Sequence, residues 1–220
     1  PVVLNAWEAL TFTVNEKICM ELAEAAQEMG VELFVVDDGW FKGRKDDFRA
    51  LGDWVPDAEK FPNGLSPLIN RVHELGMNFG LWVEPEMVCA DSDLYRAHPD
   101  WALQVHGRKL TTSRHQLVLD LTRTDVQDFI IGFMRDLLGN LEIDYIKWDM
   151  NRPLTDIGSL LLPPEQQQEV AHRYVLGLYH IFDVLVTEFP HVLFENCASG
   201  GGRMDPGTLS YFHQSWTSDN

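Results

Sequence analysis

The chain has no run of about 18 apolar residues, so no stretch of it is long enough to cross a bilayer as a helix. It opens without a basic-then-apolar leader. Basic residues are scarce: 17 Lys and Arg stand against 34 Asp and Glu, a net charge of −17, and the acids are scattered instead of gathered in a tail. Such a surface repels phosphate backbones and anionic lipid, which excludes nucleic acid and membrane-surface partners. Cysteine is nearly absent. Cys19, Cys89 and Cys197 are an odd set without framework or ligand spacing, which argues against a disulfide scaffold and a zinc site and fits a reducing, cytoplasmic setting. Also lacking is a G-x-G-x-x-G turn after the first strand, where the sequence reads Glu8-Ala9-Leu10-Thr11-Phe12-Thr13. An open dinucleotide-binding sheet is therefore disfavoured. The Gly200-Gly201-Gly202 cluster leads into Arg203-Met204-Asp205-Pro206 and not into a helical pattern, so a phosphate cradle there is the lesser reading. No internal repeat or low-complexity segment is present.

What is present is 220 residues, 45% hydrophobic, enough for one sizeable core and one domain. Strand-like and helix-like patterns alternate along the whole length. Val2 to Trp7 predicts a strand; Thr13 and Glu16 suggest a capping box for a helix burying Ile18, Leu22, Ala25, Ala26 and Met29, stopped by Gly30. Leu33-Phe34-Val35-Val36 is a continuous apolar run of the kind buried on both faces in parallel sheets. Residues 41–64 form a polar excursion too long for a plain connector. Ser66 and Pro67 read as N-cap and first turn of a helix bearing Leu68, Val72 and Leu75, and Phe79 to Val83 as the next strand. A second irregular section contains a short Gln116 to Leu121 strand. Thr124 with Gln127 caps a helix carrying Val126, Phe129, Ile130, Phe133, Met134 and Leu137, ended by Gly139. A longer helix follows Pro163-Pro164 and carries Val170, Tyr174, Leu178, Ile181, Phe182 and Leu185, and His191 to Phe194 and Tyr211 to Trp216 read as strands. This order means a parallel α/β sheet with polar clusters after each strand, hence function at the carboxyl edge. Without the dinucleotide turn, a (β/α) barrel is the better choice.

The most informative stretch is Asp144-Tyr145-Ile146-Lys147-Trp148-Asp149-Met150-Asn151-Arg152. As a strand, period 2 puts Lys147, Asp149 and Asn151 on one side and Ile146 and Trp148 on the other. The ionic face belongs to the barrel lumen or the rim of a cleft, because neither ion can be buried unpaired. A lysine two residues from an aspartate favours the carboxylate, which suits a nucleophile; a structural ion pair closing a strand end is the alternative.

Eight carboxylates fall at expected strand ends: Asp37, Asp38, Glu84, Glu86, Asp120, Asp149, Glu195 and Asp219. Five tryptophans, Trp7, Trp40, Trp82, Trp148 and Trp216, lie near the same edge. Carboxylates for hydroxyls and flat rings for C–H faces suit a neutral sugar. Glycoside hydrolysis needs one ionised and one protonated carboxyl. Asp149 fits the first. Asp219, with no basic neighbour in sequence, fits the second through the field of an ionised Asp149, and Glu84, Asp37 and Glu195 stay open for that role on chemistry alone. A carboxylate pair of this kind needs neither metal nor organic cofactor.

Asp37-Asp38-Gly39-Trp40, Leu81-Trp82-Val83-Glu84-Pro85-Glu86-Met87, Lys147-Trp148-Asp149-Met150-Asn151-Arg152, Glu195-Asn196-Cys197-Ala198-Ser199-Gly200-Gly201-Gly202-Arg203 and Trp216-Thr217-Ser218-Asp219-Asn220 together resemble the catalytic barrel of the glycoside hydrolase family 36 α-galactosidases. The resemblance implies a retaining hydrolase with Asp149 as nucleophile and Asp219 as general acid/base. It implies that Asp37 and Asp38 accept hydrogen bonds from the 4- and 6-hydroxyls of galactose. Trp82, Arg114, Lys147, Asn151 and Trp216 are expected to line the same subsite, with Cys197 and Gly200 near the 2-position. The substrates implied are terminal α-galactosyl oligosaccharides of the melibiose and raffinose type. An α-N-acetylgalactosaminidase or a galactosyl transferase of the same family is the alternative within it; outside it stand a non-catalytic sugar-binding barrel and a metal-dependent lyase using Glu84 and Glu86. The fold implied is an incomplete (β/α)8 barrel, about the first six to seven β/α units, with Gln116 to Leu121 an excursion, the nucleophile on the fourth stave and the acid/base on the sixth. Residues 1–220 then form a single partial catalytic domain, cut from a chain in which a β-sandwich precedes and a smaller β domain follows, and which assembles as a homo-oligomer such as a tetramer. Alone, the stretch is expected to leave an open sheet edge and to be insoluble or inactive.

Overall fold

Six short parallel strands, each leaving its polar residues at the same edge, build the core of the computed structural model, which describes residues 1–219. In chain order the elements are β1 (Val3–Asn5), α1 (Trp7–Leu10), α2 (Glu16–Glu28), β2 (Leu33–Val36), α3 (Ser66–Glu74), β3 (Asn78–Val83), β4 (Met87–Cys89), α4 (Asp93–Ala97), β5 (Gln116–Val118), α5 (Thr124–Asn140), β6 (Tyr145–Trp148), α6 (Val170–Glu188), β7 (Leu193–Asn196), α7 (Pro206–Leu209) and β8 (Gln214–Ser215). The main sheet runs β1-β2-β3-β6-β7-β8, and every pairing in it is parallel. The strands form a curled half-barrel, an incomplete (β/α) barrel. β4 and β5 pair antiparallel with each other in a separate two-stranded sheet, so Gln116 does lie on an excursion, and Asp149 follows the fourth stave and Asp219 the sixth. No described helix is long and apolar enough to cross a membrane.

The period-2 rule sorts side chains between lumen and helices. Phe34, Val36, Phe79, Leu81, Val83, Ile146, Trp148 and Phe194 join the large core under the helices. Leu33, Val35 and Tyr145 form a small second cluster on the opposite face. Gly80, in register between Val35 and Tyr145, fits there because a Cβ at its position would approach Val35 Cγ2 to 2.9 Å and Tyr145 Cδ1 to 3.1 Å. The lumen is thus plugged by side chains below the carboxyl edge, and the next inward layer opens into the site.

Several boundaries differ from expectation. β1 ends at Asn5, and Trp7 begins a short helix. The capping box at Thr13 and Glu16 does not form: Asn15 is the N-cap, accepting from Ile18 N, while Thr13 Oγ1 donates to Leu10 O. The face of α2 turned to the core is centred on Cys19, Ala23 and Ala26, with Ile18 and Leu22 packed at its side, while Ala25 is exposed and Met29 70% exposed. Thr124 opens α5 without a side-chain cap and Gly139 does not stop it; Gln127 Nε2 donates to Leu121 O instead. All six expected core positions of α6 are buried. β7 begins two residues later than expected, so Glu195 and Asn196 sit in the ladder. Tyr211 and Phe212 pack against Phe182 instead of entering a strand, which shortens β8. The 41–64 excursion is packed, with Phe41, Leu51, Trp54 and Phe61 buried.

Candidate active site

A cavity of about 470 Å³ opens at the carboxyl edge, lined by residues that follow every main-sheet strand. Asp37 and Asp38 extend β2, and Trp82 and Lys147 are inward residues of β3 and β6 paired in register. Asp149, two residues beyond Lys147, keeps the inward parity, as Cys197 does beyond Glu195 and Trp216 beyond Gln214. Asn151, Arg114 and Asp219 complete the expected set that faces the same space.

The buried Asp149 carboxylate is held by three N–H donors. Its Oδ1 accepts from Met150 N at 2.8 Å; its Oδ2 accepts from Trp82 Nε1 at 3.1 Å and Asn151 Nδ2 at 2.6 Å. Trp82 is itself set by Trp40, whose Nε1 donates to the Trp82 carbonyl at 2.9 Å. Asp219 Oδ1 accepts from Trp216 Nε1 at 3.1 Å. The two carboxyls expected to do the chemistry therefore share one cavity.

Lys147 places its ammonium on Asp37, at 2.8 Å from Oδ2, and not on Asp149 as the two-residue spacing suggests. Successive inward residues of a strand are a full repeat apart, whereas Asp37, just beyond β2, stands at the level of Lys147 on the other side of β3. Burial alone would push this ammonium down, but the charge and hydrogen bond of Asp37, with Asp149 behind them, carry it up. Lys147 Nζ also sits 5.0 Å from the Trp216 ring centroid, a cation–π distance. Asn5 Nδ2 donates to the same Asp37 oxygen at 2.5 Å, and Asp37 Oδ1 accepts from Asp38 N at 2.9 Å.

Asp38 is gripped by Arg44, with Nε 2.9 Å from Oδ1 and Nη2 2.7 Å from Oδ2. Burial pushes the Asp38 carboxyl above the ordinary range; Arg44 pulls it back and Asp37 adds to the rise. Arg44 escaped the sequence reading because it lies in the polar excursion among other charges, where a solvated arginine looks the same. It is 1% exposed, with Nη1 2.6 Å from the Arg49 carbonyl. Lys60 was equally silent. Its Nζ donates to the carbonyls of Phe12, Gly39 and Arg44, tying the excursion to the loops after β1 and β2, and burial pushes its pKa down. Phe12 and Asp47, which line the mouth, carry no sequence signal; Asn5, Trp7 and Glu8, at the first strand exit, do.

Other expected rim groups lie elsewhere. Gly200 does not face the cavity but packs under the Ser218–Asp219 backbone. Glu86 is buried behind β6, accepting from Trp148 Nε1 at 2.9 Å, Tyr174 OH at 2.6 Å and Arg203 Nη1 at 2.6 Å. Asp120 binds Thr122 and Ser159, and Glu195 accepts from Gln214 Nε2. Trp40 and Trp148 are buried away from the cavity. Glu84 sits behind the loop that follows β6, its Oε1 accepting from Asn151 N at 2.5 Å and its Oε2 from Gln116 Nε2 at 3.1 Å. Burial and the charge of Asp149, opposed by the Asn151 N–H, push Glu84 up to about 8, so it is mostly neutral at pH 7. Burial, then the charge of Asp149, pushes the Cys197 thiol up and keeps it from ionising. No group of three or more His, Cys, Asp or Glu among the described residues is placed to hold a metal ion.

The melibiase family model matches residues 1–220. This chain belongs to the melibiase family. It is 55% identical over 220 residues to alpha-galactosidase AgaA of Geobacillus stearothermophilus and 49% identical over 220 residues to an alpha-galactosidase of Escherichia coli, covering 100% of this chain and 30% of each relative. The crystal structure of AgaA, a GH36 alpha-galactosidase, superposes with a TM-score of 0.98 at 55% identity, over 100% of this chain and 31% of that one. AgaA variants have been solved in complex with raffinose and with stachyose. An alpha-galactosidase from Thermus thermophilus, solved with p-nitrophenyl alpha-D-galactopyranoside, matches with a TM-score of 0.75 at 25% identity, over 99% of this chain and 41% of that one. The chain thus spans about 30% of the length of the curated relatives it matches.

Proposed function

We propose that this stretch is the barrel portion of a longer retaining exo-α-galactosidase that removes terminal α-galactosyl units from oligosaccharides of the raffinose type. The observation that carries the reading is that Asp149 and Asp219 line one cavity whose wall also presents the Asp37–Lys147 pair and Asp38. Asp149 Oδ1 carries one N–H bond and Oδ2 two, so Oδ1 is the freer to attack the anomeric carbon. As the new C–O bond forms, the glycosidic C–O bond breaks and Asp219 gives its proton to the departing oxygen. Water, deprotonated by Asp219, then attacks the same carbon and releases Asp149, and two inversions give net retention. Asp37 and Asp38 keep free lone pairs for sugar hydroxyls while Asn5, Lys147 and Arg44 hold their orientation. Trp82 and Trp216 offer rings to the C–H faces of the sugar.

The lyase alternative loses its residues, since Glu84 and Glu86 are bonded to the protein outside the cavity. In the full-length protein, Asp149→Ala should abolish turnover of aryl α-galactosides, and azide should restore it with β-galactosyl azide as product. Turnover retained in that variant would remove the nucleophile assignment.

A further inference from the structure

The segment between β7 and α7 lies between the two catalytic loops. On one side, Cys197 N donates to Trp148 O at 2.9 Å, one residue before Asp149, and Ser199 Oγ donates to Asn151 Oδ1 at 2.9 Å. The Asp149 carboxylate can only accept, so it faces the Asn151 Nδ2, and the Ser199 hydroxyl holds the Oδ1 end of the same amide in place. On the other side, a Cβ on Gly200 would come within 2.9 Å of Ser218 Cα and 3.1 Å of Asp219 N, and one on Gly201 within 2.9 Å of the Thr217 carbonyl oxygen. The turn is closed on itself: Ala198 N donates to Gly200 O, Gly202 N to Ala198 O, and Asn196 Nδ2 to Arg203 O. Arg203 anchors its far end on Glu86 and reaches Met150 Sδ at 3.3 Å. Ser199 holds φ +48°, a conformation a non-glycine residue keeps only when its surroundings impose it.

We propose that residues 197–203 are a rigid spacer setting the Asp149-to-Asp219 separation, with Ser199 and Gly201 as positioning residues that act through Asn151 and the Thr217 carbonyl. The inference rests on the α-galactosidase reading and deepens it. Retaining and inverting carboxyl pairs differ in separation by only about 1–4 Å, so a close-packed wedge has leverage that a loose loop lacks. Gly201 does not line the cavity and is not in the left-handed region, so alanine fits its backbone and disturbs only what the Cβ meets.

The test uses the full-length protein, measuring kcat/KM on two α-galactosides: raffinose, whose leaving oxygen needs a proton, and the 2,4-dinitrophenyl galactoside, whose leaving group does not. Gly201→Ala pushes on the acid/base segment, so the raffinose value should fall about tenfold or more while the dinitrophenyl value changes less than about threefold. Ser199→Ala loosens the nucleophile, which both substrates need, so both values should fall in parallel by about two- to tenfold. A parallel loss in Gly201→Ala, as from general destabilisation, would overturn the proposal, as would wild-type values in either variant. If Gly201→Ala does not fold, Ser199→Ala decides: parallel loss at an unchanged melting temperature supports the spacer, and unchanged values, or a loss that comes with a lowered melting temperature, reject it. Wild-type protein that hydrolyses neither galactoside would refute the α-galactosidase reading, and this inference with it.

Discussion

Replacing Arg44 by methionine, a side chain of similar reach without charge, isolates what the guanidinium does for Asp38. Both partners are buried, the Arg44 side chain 2% and the Asp38 side chain 10% exposed, and joined by two short bonds. Removing one partner of such a pair leaves an uncompensated buried charge, which costs about 3–5 kcal/mol. The penalty depends on pH with a definite sign. Asp38 already has its folded pKa raised by burial, and losing Arg44 raises it further, so the variant's folded state binds a proton that the unfolded chain has released. The variant should therefore regain stability relative to wild type as pH falls from 7 towards 5. Urea or thermal unfolding of the full-length protein at both pH values measures this. Asp38→Asn in the same background should remove most of the pH dependence, since the titrating group is gone. An equal destabilisation of Arg44→Met at pH 5 and 7 would mean that lost packing against Phe12 and Phe41, and not the stranded carboxylate, carries the cost.

Glu84, raised to about 8 from 4.5, stays protonated in the folded state after the unfolded chain has ionised, so between those pH values it lowers stability by up to about 1.4 kcal/mol per pH unit as pH rises. Glu84→Gln should flatten that slope in unfolding measurements across pH 5 to 8; an unchanged slope would show that Glu84 does not titrate there. Exhaustive dialysis of the full-length protein against EDTA should leave turnover intact, and a loss restored by a divalent ion would reject the carboxylate-only mechanism.

The period-2 alternation was enough to sort Lys147 and Asp149 from Ile146 and Trp148, because a strand cannot send neighbouring side chains to one face. The same parity marks Trp82, Cys197 and Trp216 as inward once their strands are placed. The apolar spacing of α6 likewise survived intact. Short-range signals fared worse at the caps: Asn15 took the place assigned to Thr13.

From the amino-acid order alone came the alternation of strands and helices and the edge at which polar residues gather. Which carboxylate meets which cation was decided only in three dimensions. Lys147 bonds an aspartate 110 residues away on the far side of β3, and Arg44 turns inward from a loop rich in charge. Local sequence dictates the direction a side chain leaves the backbone, but the partner it reaches depends on how strands are ordered and curved around the lumen. Those are long-range packing outcomes to which every helix and strand contributes.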